Sequence, residues 1–191
     1  MATARITPWP KIIMHSFSVA GASSTTSKKL FNGSWNRLLN VIFPPWSTFE
    51  IVPQFPAVTA CEAVDFAVLF VVYMQATPVF VVEVKPLADF PLASKREEAD
   101  NRLRRQFLYL ATDLKIPVLH GISVFGTRMA FYKYDRDSKH MEPERIVADP
   151  TRLTDTAPKL WWNYDILEQE GADKLNAVRM DVKEMCSQFE T

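Results

Sequence analysis

Two apolar runs near the middle of the chain set its organisation. Phe66-Ala67-Val68-Leu69-Phe70-Val71-Val72-Tyr73 and Val79-Phe80-Val81-Val82-Glu83-Val84 are rich in β-branched and aromatic residues, and each predicts a buried strand. Met74-Gln75-Ala76-Thr77-Pro78 is short enough to join them as a hairpin loop. Side chains alternate across a strand, so Val79, Val81, Glu83 and Lys85 are expected on one face and Phe80, Val82 and Val84 on the other.

The flanking pattern supplies the remaining elements. Residues 1–33 read as an irregular N-terminal segment, with Gly21 to Ser27 as a loop. Ser34 is placed to cap a helix from Trp35 to Phe43, which Pro44-Pro45 ends. Phe49 to Phe55 reads as a strand, moved to a sheet edge by Pro53. A long helix follows over about Ser94 to Leu114, with Ser94 and Glu97 spaced as a capping box and Leu103, Phe107, Leu110 and Leu114 placed to cover the sheet. Val118 to Phe125 and Arg128 to Tyr134 read as strands around a Gly126-Thr127 turn. After a core of 34–153, the segment 154–191 carries Trp161-Trp162-Asn163-Tyr164. A helix from Ala172 to Phe189 follows, whose stripe of Leu175, Val178, Val182, Met185 and Phe189 packs it on the core. A homodimer formed through this helix stays open. The order α, three strands, α, two strands predicts a single α/β domain with a mixed sheet flanked by helices.

Charged groups at the ends of the central apolar runs carry the chemistry. Asp65 precedes the first run, while Glu83 and Lys85 close the second. A solvated pair at a sheet end is the plain alternative, worth about 0–1 kcal/mol. Apolar residues on both faces argue instead for central strands, where an unpaired charge is costly. Two carboxylates and an ammonium group suit metal-assisted phosphodiester hydrolysis. Asp65 and Glu83 supply hard oxygen ligands to Mg²⁺, and Lys85 stands beside the attacking water or the charged phosphate.

An acid on one core strand followed by acid-x-Lys on the next resembles the PD-(D/E)xK, or restriction-endonuclease-like, nuclease superfamily. The matching positions are Asp65, Glu83 and Lys85, with Val64 where the family name has proline. The succession Val-Asp-Phe, Glu-Val-Lys-Pro and Gly-Ile-Ser-x-x-Gly-Thr-Arg is similar to uncharacterised fungal members. The resemblance implies a restriction-endonuclease-like fold, Mg²⁺ (Mn²⁺ as the alternative) at Asp65 and Glu83, and catalysis by Asp65, Glu83 and Lys85. It also implies a nucleic-acid contact by Gln106 on the following helix, whose Arg102 and Arg105 are candidate phosphate contacts by their charge. Leu110 stands where a Gln-x-x-x-Tyr signature needs tyrosine, so the phage-exonuclease-like pattern is absent. The helix at 35–43 also lacks the acid that many members carry there; Asn36, Asn40, Glu50 and Glu62 are the oxygen donors that could replace it.

Composition narrows the partners. Lys plus Arg and Asp plus Glu each total 22, so attraction to nucleic acid has to come from a local patch. The helix arginines Arg96, Arg102, Arg104 and Arg105 either reach phosphates or form a solvated face with Glu97, Glu98 and Asp100. His120, alone in an apolar strand, reads as structural. Cys61 and Cys186 form no disulfide framework or zinc ribbon, and reduced thiols in an intracellular, cytoplasmic or nuclear protein are expected. His15, Ser16 and Ser18 interrupt the N-terminal apolar run before it resembles a signal peptide, and no run has membrane-spanning length. Gly-rich phosphate loops, Gly-x-Ser-x-Gly elbows, zinc helices and paired Cys-x-x-Cys are absent. The expectation is a metal-dependent nuclease preferring DNA, with RNA the other substrate and no membrane partner. The alternative is an inactive nuclease-fold module that binds nucleic acid or protein.

Overall fold

The computed structural model describes residues 7–22, 29–54, 68–151 and 154–188. Strands β1 (Phe49–Gln54), β2 (Val68–Met74) and β3 (Thr77–Lys85) form an antiparallel meander. Strand β4 (Val118–Phe125) joins β3 in parallel, and β5 (Arg128–Asp135) returns antiparallel. The short strands β6 (Met141–Glu142) and β7 (Tyr164–Asp165) both pair with β5, so the described sheet has the order β1-β2-β3-β4-β5-β6 with β7 beside β5. The parallel β3/β4 junction requires a crossover, and helix α3 (Ala93–Leu110) supplies it. β3 is buried along its whole length, as a strand covered on both faces should be, which explains its unbroken apolar character.

Among the described residues three more α-helices belong to this mixed α/β domain: α1 (Lys11–Ala22), α2 (Lys29–Ile42) and α4 (Gln169–Ser187). Alternation divides the central strands as expected. Val81, Glu83 and Lys85 of β3 share the α3 face with Gly121, Ser123 and Phe125 of β4. α3 approaches this face so closely that a Cβ on Gly121 would lie 2.7 Å from the Phe107 ring. Phe80, Val82 and Val84 share the other face with His120, Ile122 and Val124. There Phe43, just after α2, meets Phe80 with ring centroids 5.8 Å apart, and α4 is tied through Asp181 Oδ2, 2.5 Å from His120 Nε2. Burial holds the His120 imidazole below its usual pKa, against the pull of Asp181.

α1 packs on α2 through the edge-on Phe17–Trp35 pair, at 5.4 Å, and a 2.9 Å bond between the hydroxyls of Ser16 and Ser34. Trp162 packs edge-on against Phe125 at 5.4 Å, and Leu175, Val178, Val182 and Met185 of α4 are buried. The C-terminal segment therefore docks on the core as its aromatic and apolar stripe predict. Phe189 lies outside the described residues.

Several boundaries differ from expectation for definite reasons. Residues 1–33 are not irregular throughout, since they hold α1 and the start of α2. Ile13, Phe17 and Ala20 are buried at helical spacing while His15 and Ser18 are exposed. The polar residues that break the apolar run are thus the outer face of a helix. Ser34 lies inside α2 as a contact with α1, not at its cap, because Phe31 already belongs to the buried stripe that continues through Trp35, Leu38, Leu39 and Ile42. The β2–β3 turn tightens to Gln75 and Ala76, at φ 48° and 64°, and Pro78 enters β3 opposite Tyr73 next to a bulge. Ser94 does not cap α3. The amides of Lys95 and Arg96 bond Leu92 O at 3.1 and 3.2 Å, so the first turn begins earlier and has no side-chain cap. α3 ends at Leu110 in a tighter turn over Ala111–Asp113, and α4 starts at Gln169, three residues before the expected Ala172.

Candidate functional site

Beneath the first half of α3, the carboxyl-terminal ends of β3 and β4 carry a group of polar side chains in an otherwise apolar layer. Glu83 is completely buried, and neither carboxylate oxygen has a hydrogen-bond partner. Arg102 approaches it from α3, with Nε 3.6 Å from Oε1, beyond hydrogen-bonding range but close enough for an ion pair. Lys85 is 1% exposed, and its Nζ donates to Glu98 Oε1 at 2.5 Å. Glu98 Oε2 accepts from Lys95 at 3.1 Å. Ser123, paired with Glu83 across the parallel junction, is also completely buried, and its Oγ has no partner.

Charge follows from this burial. Removal from water pushes the Glu83 carboxyl up from 4.5 to about 7; the positive charges of Lys85, Arg102 and Arg105 oppose that rise and Glu98 adds to it. Burial alone would raise Glu98 as well, but hydrogen bonds and charge from Lys85 and Lys95 hold it below the usual carboxylate range. The two acids are therefore differently placed. Glu98 is committed to two ammonium groups, while Glu83 keeps two unbonded oxygens.

The structure brings Glu83, Lys85 and Arg102 together and sets Arg105, which is exposed, within electrostatic reach. Gln106 is half-buried and turned to the sheet edge, where its Nε2 donates to Gln54 Oε1 at 3.2 Å. Gln54 Nε2 in turn donates to Tyr73 Oη at 3.3 Å. Asp65, Cys61 and Glu62 lie outside the described residues. Asn36 is exposed on α2, across the sheet from Glu83, and Asn40 Nδ2 donates to the Asn36 carbonyl at 2.8 Å. Glu50 is exposed on β1.

The helix arginines divide into two kinds. Arg96 is buried, with Nε bonded to Ala157 O at 2.8 Å, Nη1 to the Phe90 and Pro91 carbonyls at 3.0 Å, and Nη2 to Asp155 at 2.7 Å. Arg104 is also buried, forking onto Asp100 at 2.8 and 2.9 Å and bonding Pro143 O at 2.7 Å. Both are internal ties for loops that cross the helix. Only Arg102 and Arg105 of the four remain turned toward the site or solvent.

Glu98 and Ser123 were not singled out as site residues from the sequence. Lys95, Glu98 and Arg102 stand at i, i+3 and i+7 on the helix after the acid-x-Lys strand, which puts them on one face. Ser123 is a hydroxyl in an apolar strand, in phase with the polar residues of its neighbour. Both signals were present in the spacing.

A hard divalent cation that keeps several waters needs one or two carboxylates. Glu83 fits that requirement, since its two buried oxygens have no protein donor. Among the described residues no cluster of three or more His, Cys, Asp and Glu is gathered. No helix of the described residues is long and apolar enough to cross a membrane. No family model, curated protein or solved structure matches the chain.

Proposed function

We propose that this chain is a metal-dependent nuclease of the restriction-endonuclease-like kind, hydrolysing phosphodiester bonds with DNA as the preferred substrate. The observation that carries the reading is Glu83: a fully buried carboxylate with both oxygens unbonded, two residues from a buried lysine at the end of a central strand. The order α2, β1 to β3, α3, β4 and β5, with its parallel β3/β4 junction, supports the restriction-endonuclease-like reading.

Glu83, with Asp65, would hold Mg²⁺ or Mn²⁺. Once bound, such an ion polarises a phosphoryl oxygen and lowers the pKa of a coordinated water. The chain's own groups do the rest. Lys85, held by Glu98, keeps a fixed ammonium group beside the position of the attacked phosphate, where it offsets negative charge that grows as the water oxygen bonds to phosphorus and the P–O bond to the leaving oxygen breaks. Arg102 and Arg105 neutralise phosphate oxygens on the α3 side. The described burial of Glu83 and Ser123 keeps these interactions in a medium where they are stronger than in water.

A second reading, an inactive module that binds nucleic acid or protein, is favoured by one contact: the Lys85 amine is already committed to Glu98. Cleavage of plasmid and linear DNA in Mg²⁺, Mn²⁺ or EDTA separates the two, run beside DNA binding as a function of salt for wild type and Lys85→Ala. The nuclease reading expects metal-dependent cleavage and a Lys85→Ala variant that loses turnover far more than affinity. The module reading expects no cleavage and a salt dependence flattened by about one unit of slope. Tight DNA binding by the wild type without cleavage under either metal would end the enzyme assignment.

A further inference from the structure

Glu83 and Ser123 sit side by side on adjacent parallel strands, on the same face, with no exposure. Oε1 and Oε2 of Glu83 and Oγ of Ser123 have no hydrogen-bond partner. Buried polar groups are almost always satisfied, and each specific exception needs an occupant or a purpose. Here the exceptions are neighbours of complementary type. A hydroxyl can both donate and accept, whereas an ionised carboxylate accepts only, yet the two do not bond each other across the roughly 5 Å that separates strands. Both groups therefore keep unused bonding capacity on one face of the sheet.

We propose that Ser123 is a positioning residue for a divalent cation at Glu83, its hydroxyl bonding a water of the cation's hydration shell. Mg²⁺ gives up its waters reluctantly, so groups that bond those waters help to fix the ion. A hydroxyl suits this task better than a further acid would, because it adds no charge to a layer that already holds a buried carboxylate without a hydrogen bond. The inference rests on the metal-dependent reading for the identity of the occupant.

The test is titration of the full chain, freed of metal with EDTA and then dialysed, with Mn²⁺ at pH 8 by calorimetry, for wild type, Ser123→Ala and Ser123→Thr. Equilibrium unfolding of the same metal-free proteins runs alongside. Ser123→Ala should weaken Mn²⁺ binding by about tenfold or more, the usual effect of removing an outer-shell partner. Ser123→Thr, which keeps the hydroxyl, should retain wild-type affinity, and metal-free Ser123→Ala should be at least as stable as wild type because it buries one orphaned group fewer. Equal Mn²⁺ affinity in wild type and Ser123→Ala would overturn the proposal, as would equal losses in the Ala and Thr variants. Destabilisation of metal-free Ser123→Ala would also overturn it, because the hydroxyl would then have a protein partner. Failure of Mn²⁺ to bind the wild type does the same. Serine-dependent binding without DNA cleavage would keep this inference and remove the nuclease reading; cleavage with serine-independent binding would do the reverse.

Discussion

Replacing Glu83 by glutamine should stabilise the metal-free protein, and by an amount that depends on pH in a defined way. Glutamine keeps the shape of the protonated acid and carries no charge. In the folded chain the Glu83 carboxyl titrates near 7 instead of 4.5, because burial disfavours its charged form more than Lys85 and Arg102 favour it. At 1.36 kcal/mol per pH unit, the difference is worth about 3 kcal/mol. The sign follows from proton binding: between these two values the folded state holds a proton that the unfolded state has released, so stability falls as pH rises.

Wild type and Glu83→Gln should therefore match below pH 4.5, diverge by about 1.4 kcal/mol per pH unit above it, and differ by a constant of about 3 kcal/mol beyond pH 7, with the mutant more stable. Equilibrium urea unfolding in EDTA, from pH 4 to pH 9, measures this directly. His120, held below its usual pKa by burial, is common to both proteins and cancels in the difference. Saturating Mg²⁺ should narrow the gap, because an ion that binds only the folded wild type stabilises it by mass action. Curves that stay parallel across the range in EDTA would refute the claim that Glu83 is desolvated by more than Lys85 and Arg102 offset. So would a mutant less stable than wild type at pH 8.

Two other expectations concern the scaffold of the site. Gly121→Ala would place a Cβ 2.7 Å from the Phe107 ring and 3.2 Å from the Val81 carbonyl, and should destabilise by about 1–3 kcal/mol as α3 is pushed from the sheet; an unchanged thermal midpoint would show that the helix is not seated on this glycine. Gln75 and Ala76 both hold left-handed φ values in the β2–β3 turn, so the double change Gln75→Asn with Ala76→Gly should raise stability by about 1 kcal/mol, and a lowered urea midpoint would contradict that reading of the turn.

The sheet was legible because its signal is local. The runs at 68–74 and 77–85 are apolar on both faces, and alternation alone put Glu83 with Lys85 on one side. The first helix was not legible for the opposite reason. His15, Ser16 and Ser18 look like interruptions until they are placed at 100° per residue, where the buried set becomes Ile13, Phe17 and Ala20. The hairpin was misjudged in length because Gln-Ala lacks the Asn-Gly chemistry that usually marks a two-residue turn, and because Pro78 reads as loop although the strand admits it at a bulge. Arg96 and Arg104 were unreadable in kind. Nothing local distinguishes an arginine that ties down a distant carbonyl from one that meets solvent, since Ala157 and Pro143 lie far along the chain.

The charged side chains of α3 divide between internal ties and the surroundings of Glu83. Asp100 is held by Arg104 and Tyr132, and Glu98 by Lys85 and Lys95, while Arg102 lies against Glu83. Beneath them Glu83 is kept without a hydrogen bond in a layer that could have taken an apolar residue at lower cost. A stability optimum would replace it, as the Glu83→Gln prediction asserts. Retaining a costly carboxylate beside a buried lysine is what the proposed nuclease reading expects, since a cation bound at Glu83 would offset that cost.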